Sequence, residues 1–148
     1  MKKETWLLVA DGAGARLLRL DTATRRLELV ADRPHEAGRT KTSDLMTDRP
    51  GRSLDSSHVG VRHAMEPRTD PRRIERHRFA AELAAEVEAA ANQERFSDLV
   101  LVAAPAMLGE LRAALPERLA ELVRQEIPKD LAGLSLPELQ TQLVPQLG

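Results

Sequence analysis

All four histidines of this 148-residue chain, His35, His58, His63 and His77, fall between Arg33 and Arg78. The same stretch holds eleven Lys/Arg against seven Asp/Glu, whereas the remainder holds eleven against sixteen. The net charge of -1 therefore hides a local excess of positive charge. A field of that sign suits an anionic partner, and arginine offers forked, permanently charged donors that match phosphate. A solvated segment whose arginines serve solubility accounts for the same composition, and the two readings stand side by side.

Other constellations are weaker. His58, His63, Glu66 and Asp70 are of types that ligate zinc or other transition metals, but their spacing matches no strong signature, and no metal or cofactor is expected. Ser53, Ser56 and Ser57 lie close in sequence to His58 and Asp55, without the flanking pattern of a nucleophile elbow. Gly12-Ala13-Gly14 begins like a dinucleotide fingerprint, but Leu17 stands where the third glycine belongs, so a tight turn is expected. Asp11 could serve a two-metal nuclease if further carboxylates converged on it, with Asp98 and Asp130 candidates by type alone. A turn aspartate before Gly12 is the simpler role.

The elements that must position these residues are legible around the polar stretch. Thr5 to Ala10 is a short apolar run closed by Asp-Gly, the pattern of a buried strand. Ala15 to Leu20 is a second strand, interrupted by Arg16 and Arg19, and Arg25 to Val30 a third, after the turn residues Asp21 to Thr24. Their short connections predict an antiparallel meander. From Asp32 to Asp70 the periodicity disappears. An unstructured stretch of that length inside a compact domain is normally functional or disordered. A loop spanning 33–70 is therefore expected, with residues 38–66 mobile and dispensable for folding.

Asp70 and Pro71 form a helix start, followed by the apolar stripe Phe79, Leu83, Val87 and Ala91. Arg72, Arg73, Arg76 and His77 crowd its first two turns, where positive charge opposes the helix dipole. These side chains either face a ligand or pair with Asp70 and Glu75. Leu99 to Ala104 predicts a central strand covered on both faces. Pro105 opens another helix, which Pro116 restarts and Leu119, Leu122 and Val123 continue. A short strand is expected near 124–127, and Ser135 with Glu138 predicts a capping box on a last helix. This order defines an α/β fold with a mixed sheet flanked by helices, close to the ribonuclease-H-like arrangement, in one domain over 1–148.

With Trp6, Phe79 and Phe96 as the only large aromatic residues, the core must consist mainly of Leu, Val and Ala. The apolar run at Trp6–Ala10 is too short for a signal peptide, and no stretch approaches a membrane span. The absence of cysteine removes disulfides and thiolate metal sites. A cytoplasmic location without membrane association is expected.

Several stretches together resemble the bacterial host attachment protein family. They are Thr42-Ser43-Asp44-Leu45, Asp48-Arg49-Pro50-Gly51-Arg52-Ser53 with Asp55-Ser56, Arg62-His63-Ala64 with Glu66, and Asp70-Pro71. The resemblance continues through Arg78-Phe79-Ala80, Leu99 to Ala103, Leu108 to Arg112 and Lys129-Asp130-Leu131, covering nearly the whole chain. It implies a part in attachment to host cells. The element order also resembles the middle domain of eukaryotic and archaeal peptide-chain release factors, whose Gly-Gly-Gln loop acts on peptidyl-tRNA. Residues 32–70 contain no glutamine and only single glycines, so hydrolysis does not carry over, while docking on RNA does. The expected binding residues are Arg39, Asp44, Asp48, Arg49, Arg52, Ser53, Asp55, Arg62, His63, Glu66, Arg76 and Arg78. The expected partner is RNA or the ribosome. Two alternatives remain: a small hydrolase of phosphorylated or ester substrates using His63 and Glu66, and a regulator acting on attachment indirectly. Catalytic residues and oligomeric state are not specified by the sequence.

Overall fold

The computed structural model describes residues 4–35 and 70–147. Strand β1 (Thr5–Asp11) is followed by β2 (Gly14–Asp21) and β3 (Arg26–Pro34), paired as an antiparallel meander. Each turn is closed by its own aspartate. Asp11 Oδ1 accepts from the N–H of Ala13 at 2.8 Å and of Gly14 at 3.0 Å. Asp21 Oδ1 accepts from Ala23 and Thr24 at 2.9 and 3.2 Å, and these bonds, Thr24 first, hold the Asp21 carboxyl below the ordinary carboxylate range. Opposite β2, Leu17 pairs with Ala31 but Leu18 with Leu29, so Val30 is the extra residue of a bulge in β3.

Helix α1 (Pro71–Asn92) leads to β4 (Asp98–Val102), and α2 (Pro105–Ala114) with the single turn α3 (Glu117–Ala120) leads to β5 (Val123–Ile127). Helix α4 (Leu136–Leu143) and a 3-10 turn at Val144–Gln146 complete the chain. The sheet order is β3-β2-β1-β4-β5, with β4 parallel to both β1 and β5. This is a mixed α/β sheet. Alternation along the strands divides the core in two. Trp6, Leu8, Leu99 and Leu101 pack with Phe79, Leu83 and Val87 of α1 and Leu108 and Leu111 of α2. Leu7, Val9, Val100 and Val102 face Leu139 and Leu143 of α4 and Leu147. Burial of each such side chain contributes about 1.5–3 kcal/mol.

Two details differ from the sequence expectation, and a third adds to it. The third strand runs to Pro34 rather than Val30, because pairing with Gly14 and Ala15 carries it past the end of its apolar residues. The helix after Pro116 lasts one turn, and Val123 belongs to β5, where it lies opposite Leu99. Arg16, which interrupts β2, donates to the carbonyls of Ala132 and Leu134 at 2.7 and 2.5 Å and so ties the 131–134 turn to the sheet. The capping box at Ser135 and Glu138 is formed, and its hydrogen bonds from Ser135 hold the Glu138 carboxyl low.

Candidate functional site

The strand registers bring Asp11, Val102 and Ile127, the ends of the parallel strands β1, β4 and β5, to one rim of the sheet, with Gly14 and Pro34 beside them. Such a rim is where α/β sheets place ligands. Here β3 passes over the first turn at close range. A Cβ on Gly14 would lie 3.3 Å from the Arg33 carbonyl oxygen and 3.4 Å from Pro34 Cα, a crowded approach that glycine relieves. The next residue, His35, is pinned. Its N–H donates to the Ala13 carbonyl at 2.9 Å, and its ring stacks on Phe79 at 4.2 Å between centroids with 13° between planes. His35 is 7% exposed, and its Nε2 lies 3.6 Å from Glu75 Oε1. Phe79 and Glu75 belong to α1, so the residue that ends the meander and the helix that begins at Asp70 hold one another.

Asp70 caps α1 with an extended backbone, accepting from the Arg72 N–H at 3.0 Å, and Pro71 takes the first helical position. None of the residues from Pro71 to Arg78 is buried; Phe79 is the first to enter the core. The first two turns thus lie at the surface of the domain, with Glu75 facing His35 and His77 facing Glu110, and the first turn contains no acidic residue. Arg78 lies 3.6 Å from Glu75 Oε2, and His77 Nδ1 lies 2.9 Å from Glu110 Oε1 on α2. Arg72 and Arg73 are exposed and have no acidic partner among the described residues. Arg76 is half-buried, likewise without an acidic partner among those residues, and its Nε is enclosed without a hydrogen-bond acceptor. Asp70, the obvious counterion, is occupied by the cap. Three guanidinium groups therefore share the positive end of a helix dipole, an arrangement that an anion stabilises.

Of the expected binding residues, the structure places Arg76 and Arg78 here. Arg39, Asp44, Asp48, Arg49, Arg52, Ser53, Asp55, Arg62, His63 and Glu66 lie outside the described residues, as do His58, Ser56 and Ser57 and the expected mobile segment 38–66. Arg72 and Arg73 join the site through their exposure. His35 joins it through contacts with residues some forty positions later, which no local spacing reveals. The nuclease arrangement is not assembled: Asp98 pairs with Thr5 at the opposite end of β1 from Asp11 and lies 3.8 Å from Arg124. Among the described residues no three His, Asp or Glu side chains converge as metal ligands.

The described molecule is thus a mixed α/β domain with an arginine-bearing helix start at the exit rim of its sheet. Over residues 6–143 the chain matches the family described as protein required for attachment to host cells, and it belongs to that family. No curated protein matches it.

Proposed function

We propose that this host attachment family protein is an RNA- or ribosome-binding module, with the start of α1 as the anchoring surface for the phosphate backbone. The observation that carries this reading is the set Arg72, Arg73 and Arg76, which have no carboxylate partner among the described residues although Asp70 and Glu75 are their neighbours in sequence. The charge distribution supports it. Residues 36–69 hold six Lys/Arg against five Asp/Glu, whereas residues 70–78 hold four Arg against two acids. The excess is thus densest on the helix. The helix N-terminus adds oriented N–H groups to the same anion-attracting surface. Segment 36–69, which enters and leaves beside this surface, supplies Arg39, Arg49, Arg52 and Arg62 as further contacts in this reading. Among the described residues no helix is long and apolar enough to cross a membrane, consistent with action in the cytoplasm. Sedimentation of the purified protein with ribosomes over a salt series tests the proposal. Co-sedimentation at low salt that is lost steeply as salt rises is the expected result. Failure to co-sediment with ribosomes, or to bind RNA, at low salt overturns it.

A further inference from the structure

At the other end of the sheet, a cavity of about 570 Å³ opens between β2, β3 and the residues following α1. A second of about 220 Å³ shares Trp6, Val30 and Arg95 with it. The larger is of the size that holds small ligands. Trp6 is one of its lining residues, 2% exposed, with the Phe96 ring centred 5.1 Å away and the Arg95 guanidinium 5.0 Å over its own ring. The Trp6 indole N–H has no acceptor among the described residues. A buried donor in that state costs stability unless something else accepts from it.

The lining gives the acceptor's chemistry. Arg95 is an exposed residue whose guanidinium has no acidic partner among the described residues and covers the Trp6 face, so a flat ligand stacking on Trp6 must displace it from the ring. Glu4, Glu28 and Glu94 line the larger cavity against Arg19 and Arg95, and Arg19 is already engaged by Glu4 and Glu28. Glu94, at φ 56, is the left-handed residue that ends α1: its N–H donates to the Ala91 carbonyl and that of Arg95 to Ala90, which fixes both side chains at the cavity edge. Leu29, 52% exposed, adds an apolar margin on β3. A fitting ligand is flat, accepts a hydrogen bond from an indole N–H, donates to carboxylates, stacks on Trp6 and Arg95, and carries no phosphate.

We propose that this cavity binds a nucleobase, as the free base or its nucleoside, slotted between Trp6 and Arg95 with the indole N–H bonded to a base acceptor and the base's amino or imino groups turned to the carboxylates. Stacking on an aromatic face under an arginine is a general way to hold a base. The net negative lining separates this site from the arginines of α1, so it selects nucleosides over nucleotides and stands independently of the polyanion reading.

Trp6 is the only tryptophan and the chain has no tyrosine, so one indole N–H signal and one fluorophore report on the site. The full-length, ¹⁵N-labelled protein is titrated with adenosine, inosine, cytidine and uridine, with their 5′-monophosphates, and with guanidinium as a cation control. At least one nucleoside is expected to move the indole N–H signal and change Trp6 fluorescence saturably, with its monophosphate about tenfold or more weaker. Loss of the second stacking face in Arg95→Ala is expected to weaken binding about tenfold without lowering the melting temperature. Arg95→Lys, which keeps the charge but not the planar face, is expected to resemble it. Arg72→Ala/Arg73→Ala leaves nucleoside binding unchanged. An indole signal unmoved by millimolar nucleosides means a cavity holding water alone and overturns the proposal. Saturation by guanidinium without any nucleoside response assigns a cation site and overturns it as well, as do equal affinities for nucleoside and monophosphate or for wild type and both Arg95 variants.

Discussion

Arg16 and Arg72 illustrate how far one residue type can differ in its work. Arg16 lies within a strand of the core sheet and is consumed by structure, its guanidinium donating to two carbonyls more than a hundred residues away. Arg16→Ala leaves both carbonyls without that donor, and we expect a loss of about 1–3 kcal/mol in urea unfolding. Arg16→Lys should recover only part of it, since an ammonium lacks the planar fork. An unchanged unfolding midpoint in Arg16→Ala would show that apolar packing alone holds the 131–134 turn. Arg72 and Arg73 make no such bonds among the described residues and sit where the helix dipole disfavours them. Nothing in the local sequence separates the two kinds: each is an arginine beside apolar or charged neighbours. What separates them is the chain that arrives from elsewhere: the 131–134 turn over Arg16, and none of the described residues over Arg72, which is exposed.

At the scale of elements, most of the architecture was legible because it rests on local signals. The apolar runs of β1 and β4, the Asp-Gly turn, the Pro71 start, the Phe79-Leu83-Val87 stripe and the Ser135–Glu138 box each declare themselves within a few residues. The end of β3 did not, because Arg33 and Pro34 are held there by pairing with β2 rather than by their own burial. The junction of α2 with β5 was also hidden. There Arg112 donates to both carboxylate oxygens of Glu126, at 3.1 and 2.5 Å. That hydrogen-bonded pairing, reinforced by the charge of Arg112, holds the Glu126 carboxyl below the ordinary glutamate value. The folded state therefore binds the Glu126 proton more weakly than the unfolded chain does. Its contribution is fully present above the ordinary glutamate value and is lost as pH falls through the lowered one. Glu126→Gln should flatten the acid limb of a stability–pH profile while changing neutral stability by no more than about 1 kcal/mol, as befits a pair near the surface. Identical acid limbs in variant and wild type would place the acid sensitivity elsewhere.

For the whole molecule, the candidate site was legible only in part. The concentration of arginine and histidine pointed to the region, but the sequence could not show that Asp70 is committed to a cap or that Phe79 is the first residue of α1 to be buried. Segment 38–66 is polar, with Pro50, Gly51 and Gly60 and few large apolar residues, a composition poorly suited to building a core. Replacing residues 38–66 by a short Gly/Ser linker is accordingly expected to give a domain with one cooperative unfolding transition; a molten or insoluble product would show that the segment contributes to the core. The central claim, that the start of α1 grips a nucleic-acid backbone, is tested most directly by the salt dependence of binding to a single-stranded RNA, wild type against Arg72→Ala/Arg73→Ala. Removing two phosphate contacts should reduce the slope of log Kobs against log salt by about 1.4, with no loss of melting temperature. An unchanged slope and affinity in a folded double variant would contradict the account.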